Sequence, residues 1–339
     1  MNSSNNKDFC FFKIDENISC ARFIDRNEDR FELEFNLERG TCFNTFFVIE
    51  ETQLIIIHPP ESAYKELFLK CISEILDHSH IHSVNIITGH INPKIIESLK
   101  TTLTQINNLT IICSNPGFKL IKELWKQKKP NGNEISIDMP KINLIKKDTT
   151  ISCKKIELQL IPAPTARWPG GLIVYEPKQE ILFSEKIFSA HIASEKWSEN
   201  NRMSTENDRK YFYECLMAPM SSQITSLTEK ISGLEIKTIA PIHGPAIEYS
   251  LKSFINDYVR WGENLSHNNP KIVLIYASAY GNTASIGDAL AKGINRTAVE
   301  VESINCEFSS NEKLVQSIKK ADGYLIGSPT LAGHAPTPI

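Results

Sequence analysis

Residues 271–283, KIVLIYASAYGNT, constrain this chain more than any other segment. Its unbroken apolar run suits a central strand of a parallel sheet, buried on both faces. A turn of Ser278, Ala279, Tyr280, Gly281, Asn282 and Thr283 follows, and then ASIGDALAKGI at helical spacing. Next come AVEVESINC as a strand, EKLVQSIKKA as a helix and GYLIGSP as a strand. The order β-α-β-α-β opens a doubly wound parallel sheet. Three strands leave an uncovered sheet edge, so residues 271–339 are expected to form only the first part of such a domain.

The turn at 278–283 presents backbone N–H groups and hydroxyls at a helix N-terminus. There the orphan donors and the helix dipole favour a phosphate dianion. Gly281 lets the backbone bend closely around the oxygens, and Ser278 and Thr283 can add hydroxyl donors. An ordinary capped βα turn is the alternative. A second loop, Gly327-Ser328-Pro329-Thr330-Leu331-Ala332-Gly333-His334, follows the third strand. In open parallel sheets ligands sit at the carboxyl ends of the strands beside the switch point, so both loops are expected at one crevice. The dinucleotide fingerprint G-x-G-x-x-G is absent from the first turn.

The stretch ENLSHNNP at 263–270 ends an amphipathic segment, SLKSFINDYVRWGENL, and precedes the new strand. It predicts a domain over 1–265, a linker over 266–270 and a second domain over 271–339. In the first domain TFFVIEE and QLIIIHP read as adjacent strands turning at Glu51–Thr52. SAYKELFLKCISEILDH and PKIIESLKTTLTQI read as helices. VNIITGH reads as a buried strand ending at His90, and LTIICSN as the next strand. ISCKKIELQLIPAP, GGLIVYEP and EILFSEK read as further strands, and KQKKPNGNE at 126–134 as an exposed loop. This order suits two sheets sandwiched by helices.

Composition removes several classes. The net charge of −3 gives no case for nucleic-acid partners. No apolar run reaches the ~20 residues of a membrane span. The N-terminus shows no basic region followed by an apolar one, so a cytoplasmic setting is expected. Eight scattered cysteines without a CxxC pair read as reduced thiols. His78, His80 and His82 alternate and could catch adventitious metal, but a polar entry to the next strand is the preferred reading. Trp125, Trp168, Trp197 and Trp261 read as packing residues.

Several phrases resemble the flavodiiron family: ERGTCFNTFFVI, the strand ending in His90, RWPGGLIVY, ILFSEKIFSAH and APIHGP, with S-x-Y-G-N-T and G-S-P-T behind them. The resemblance implies a metallo-β-lactamase-like αββα sandwich followed by the first part of a flavodoxin-like domain. It implies FMN, held by Ser278, Tyr280, Gly281, Asn282, Thr283, Ser328, Pro329, Thr330, Leu331 and Gly333. Only three flavodoxin-like strands are present, so weak flavin binding is expected. The family also implies a diiron site with the pattern H-x-E-x-D-H, then His, Asp and His. Those positions are His90, Asn92, Lys94, Ile95, Arg167, Lys186 and His243 here. Only His90 and His243 keep ligand-type side chains, and three of the substitutes are cations. Like charges a few ångströms apart are costly, so no stoichiometric iron is expected.

By the same resemblance, intact members pass electrons from a donor protein or NAD(P)H through FMN to the irons, reducing oxygen to water or nitric oxide to nitrous oxide. They work as head-to-tail dimers. The ligand substitutions resemble certain cyanobacterial members, which often carry a further flavin-reductase domain. The expected function is a flavodiiron-like electron-transfer flavoprotein, inactive alone. The alternative is a non-enzymatic remnant or a partner subunit of an intact protein. A metal-dependent hydrolase is disfavoured, because metal-activated water needs the missing ligands. Buried cations need partners. Glu185 is a poor one for Lys186, since strand neighbours face opposite ways. A small anion or ordered water among Lys94, Arg167 and Lys186 is the expected solution.

Overall fold

The computed structural model describes residues 7–32, 34, 35, 37–77, 80–106, 108–126, 137–199, 201–263, 270–297, 299–330, 333–337 and 339. Two compact units form, Met1–Glu263 and Asn264–Ile339. The first opens with a hairpin of β1 (Lys7–Lys13) and β2 (Ile18–Asp25), then a small hairpin of β3 (Arg30–Phe31) and β4 (Glu34–Phe35). β5 (Thr41–Glu50) and β6 (Gln53–Ile57) lead to α1 (Lys65–Asp77) and β7 (Ser83–Ile87). α2 (Pro93–Leu103), β8 (Leu109–Ser114), α3 (Asn115–Trp125) and β9 (Lys141–Ile145) complete the first half. The second half holds β10 (Thr149–Cys153), β11 (Ile156–Pro162), β12 (Leu172–Glu176) and β13 (Ile181–Glu185). α4 (Glu206–Phe212), α5 (Ser221–Ile231), β14 (Thr238–Pro241) and α6 (Leu251–Glu263) end the unit.

The strands make a seven-stranded sheet, β1-β2-β5-β6-β7-β8-β9, and a five-stranded one, β10-β11-β12-β13-β14. Alternation along β5 shows how they pack. Phe43 and Phe47 join a core with α1, α2 and α3, while Phe46 and Val48 face Leu158, Leu172 and Phe183 of the other sheet. A third core sets Ile173, Tyr175 and Leu182 against α4, α5 and α6. The layers are therefore helix, sheet, sheet, helix, as expected.

Two readings of the sequence need correction. β7 stops at Ile87, so His90 stands on the turn beyond the strand rather than at its end. Residues 151–164 are not one strand: β10 and β11 form a hairpin, turning at Lys154 with φ 48°. His80 and His82 are exposed just before β7, while His78 and most of the loop at 126–134 lie outside the described residues.

The second unit is a parallel sheet of β15 (Lys271–Tyr276), β16 (Glu300–Asn305) and β17 (Gly323–Gly327) in the order β16-β15-β17. α7 (Asn282–Asn295) and α8 (Asn311–Lys319) connect them. The central strand carries the apolar run, and Val273, Leu274 and Ile275 are buried. Among the described residues, no helix is long and apolar enough to cross a membrane.

Candidate functional site

The loops between the two sheets of the first unit bring most of the proposed ligand positions together. Lys186 follows β13 and is 1% exposed. Its Nζ lies 3.1 Å from His243 Nε2 and 3.0 Å from Glu32 Oε1. His243 Nδ1 is 2.7 Å from the Cys42 carbonyl, so that nitrogen carries the proton and Nε2 accepts from Lys186. Burial first, and then Lys186, holds the His243 pKa well below that of an ordinary histidine. This imidazole stays neutral and serves as a hydrogen-bond acceptor for a buried ammonium.

Glu32 neutralises the cluster. Its other oxygen binds Arg167 at 2.8 Å. Burial opposes its ionisation, but Lys186, His90 and Arg167 together hold its pKa below the usual carboxylate range. Glu32 sits in the turn of the β3–β4 hairpin with φ 51°. The next inward residue of that hairpin, Glu34, reaches His191 Nε2 at 3.1 Å, and Thr41 Oγ1 meets His191 Nδ1 at 2.7 Å. The hairpin thus carries two carboxylates into the pocket.

His90 and Asn92 form the other wall. Asn92 Oδ1 caps α2 by accepting the Ile95 N–H at 2.8 Å, and its Nδ2 donates to Glu61 Oε1 and to His90 Nε2, each at 3.0 Å. Burial, then Lys186, brings the His90 pKa down to about 3. Lys94 points outward, with 62% of its side chain exposed, and pairs with Glu61 at 3.2 Å. Ile95 turns away into the core under α2. The structure thus gathers His90, Asn92, Arg167, Lys186 and His243, leaves Lys94 at the rim and removes Ile95.

The expected anion among the three cations is not what the structure shows. Glu32 binds both Arg167 and Lys186, and Glu61 binds Lys94. Internal carboxylates thus pair the buried Lys186 and the more exposed Arg167 and Lys94 without an ion from solvent. Glu185 is no partner of Lys186, as expected; it accepts the Leu172 N–H at 3.3 Å, and burial raises its pKa to about 7. Reasoning from sequence missed Glu32, Glu34 and Glu61. The alternation FELEF at 31–35, acidic residues between aromatic ones, was the available signal. The cluster itself lines a cleft of about 790 Å³: Glu32, Glu61, His90, Asn92 and Arg167 share its wall with Trp168.

In the second unit, β15 and β17 run parallel, so the loops after them stand at one end of the sheet. The Ala277 N–H donates to the Gly327 carbonyl at 3.1 Å, and a side chain at Gly327 would meet Thr283 at 3.2 Å. Gly281 takes φ 82° at the start of α7, where a side chain would be strained although nothing crowds it. Gly281, at the N-cap position, supplies no side-chain cap to that helix. Ser278 Oγ accepts the Ala284 N–H at 3.1 Å. Ser278 and Thr283 are half-buried, while Tyr280, Asn282, Ser328, Thr330 and Gly333 are exposed and Pro329 is intermediate. Leu331 lies outside the described residues.

This combination defines a β-lactamase-like core followed by a flavodoxin-like unit. The family described as ODP family beta lactamase matches residues 42–244. Diflavin flavoprotein A 6 of Nostoc sp. (strain PCC 7120) is 34% identical over 339 residues, covering all of this chain and 57% of the relative. The chain therefore spans little more than half the length of that relative. The metal-soaked Flv1 flavodiiron core of Synechocystis sp. PCC6803 is 32% identical with TM-score 0.71, covering 98% of this chain and 80% of that one. A fragment, residues 1–254, of Nostoc diflavin flavoprotein A 5 is 28% identical with TM-score 0.67, covering 76% of this chain and 96% of the fragment. The chain belongs to the flavodiiron family.

Proposed function

We propose that this chain is a flavin-carrying, iron-free member of its family, acting in electron transfer as the partner of a subunit with an intact oxygen site. The observation that carries this reading is the Lys186 ammonium, hydrogen-bonded to His243 at the position where the family pattern has an aspartate ligand. A diiron pair needs hard anionic oxygens. Here His243 accepts from a cation, and Glu32 and Glu61 are engaged by Arg167, Lys186 and Lys94. Glu32, Glu61 and His90 do offer ligand atoms within 4.8 Å of one another. A divalent ion there would face three cations around two carboxylates, and repulsion at that range is several kcal/mol even at an effective dielectric of about 20. The donor set does not fit iron.

The second unit fits FMN better. The start of α7, with Gly281 left-handed and Ser278 Oγ on the Ala284 N–H, suits the phosphate, and Ser328, Pro329 and Thr330 beyond β17 would line the ring. FMN supplies the electron storage that such a protein uses. Ser278, Gly281, Asn282 and Thr283 would hold its phosphate, while Tyr280 and Pro329 flank the site. Oxygen reduction with electrons from NAD(P)H belongs to the complete assembly. A head-to-tail pair, with the cleft by Trp168 facing a partner's flavin, and a cytoplasmic setting complete the proposal.

A visible spectrum with metal quantitation after FMN addition tests the reading. Flavin bound without iron is expected. A protein that takes up neither flavin nor metal would favour a non-enzymatic remnant.

A further inference from the structure

Glu307 lies in the single turn Cys306–Phe308 that follows β16. Because β16 pairs in parallel with β15, this turn stands at the same sheet end as the 278–283 loop. The Glu307 carboxylate accepts the Ser278 N–H at 3.0 Å. Asn305 Oδ1 accepts the Glu307 N–H at 2.9 Å and fixes the turn. A fixed anion therefore already holds one donor of the loop that the flavin reading assigns to phosphate.

We propose that Glu307 sets how strongly this loop discriminates between phosphorylated and unphosphorylated flavin. The inference rests on the flavin reading and adds a residue outside both sequence motifs. A phosphate dianion entering the loop meets the Glu307 charge and finds the Ser278 N–H taken. Riboflavin ends in a neutral hydroxyl and meets no such repulsion. Glu307 thus narrows the preference for FMN that the N-terminus of α7 creates. If Glu307 instead braced the loop in its receptive shape, removing its charge would act with the opposite sign or not at all.

Glu307→Gln keeps an oxygen acceptor for the Ser278 N–H and removes only the charge. The full chain and this variant are titrated with FMN and with riboflavin, followed by flavin fluorescence at low salt. FMN is expected to bind about fivefold tighter to the variant, the scale of an exposed charge contact, with riboflavin unchanged. The gain should shrink at about 0.5 M salt. FMN affinity equal to or weaker than that of the unsubstituted chain overturns the proposal, as does an equal gain for riboflavin. If neither flavin binds either protein, the flavin reading fails separately. Inorganic phosphate, followed by the amide shifts of Gly281 and Thr283, then decides: tighter binding to the variant supports the role of Glu307, and unchanged binding overturns it.

Discussion

The pocket of the first unit and the loop of the second respond to charge in opposite ways. The pocket neutralises its own charge: Lys186 is 1% exposed and its hydrogen bonds go to Glu32 and His243. The loop is open: Gly281 is exposed in the left-handed region at the start of α7, and an added side chain there would meet nothing within 4 Å. A metal site depends on a set of side chains, so a few substitutions turn it from anionic to self-neutralised. A phosphate loop depends on backbone donors and one glycine, and survives change in most side chains around it.

The largest expected effect lies in the pocket. Glu32→Gln leaves Lys186 and Arg167 without their shared carboxylate, and breaking a buried pair in this way costs about 3–5 kcal/mol. Urea unfolding should show it. Lys186→Met in the same background should recover much of the loss, because the uncompensated buried charge is removed with it. A double variant no more stable than Glu32→Gln would mean that the carboxylate acts through something other than these cations.

Acid should separate the two regions next. His90 and His243 are held neutral, with pKa values lowered below 6.5. A depressed histidine contributes stability that is complete above its unfolded pKa and is lost as pH falls towards its folded pKa. The loss therefore begins near pH 6.5, at up to about 1.4 kcal/mol per pH unit for each group. Glu32, also depressed, adds to it below the ordinary carboxylate range. Glu185 works the other way: its raised pKa gives stability at low pH that fades as pH rises through about 7. The histidines should dominate between pH 6.5 and 4, seen as falling thermal stability of the first unit. Flat stability across that window would contradict the neutral assignment.

Much of this was legible in the sequence. The β-α-β-α-β order, the switch near residue 270 and the sandwich class follow from periodicity and turn chemistry, because burial on one or both faces imposes those patterns directly. The cations at Lys94, Arg167 and Lys186 were equally plain. Their partners were not. Glu32 arrives on a hairpin of two-residue strands, too short for a periodic signal, and Glu61 comes from the turn before α1. Long-range pairing of side chains leaves little local trace, so the sequence favours a small anion or ordered water where the chain supplies its own carboxylates.

Smaller effects sharpen the contrast. Asn92→Ala removes the cap of α2 and should cost about 1 kcal/mol in the first unit. Gly281→Ala places a side chain in the left-handed region, also at a cost of about 1 kcal/mol, and should weaken FMN binding while leaving the acid response of the pocket unchanged. A changed acid response in Gly281→Ala would show that the two regions are energetically linked.

The central claim is that the pocket neutralises itself and does not assemble two irons. Elemental analysis of the chain, purified after expression in iron-rich medium, tests it most directly. The charge arrangement around Lys186 predicts far less than one iron per chain, and about two irons per chain would contradict it.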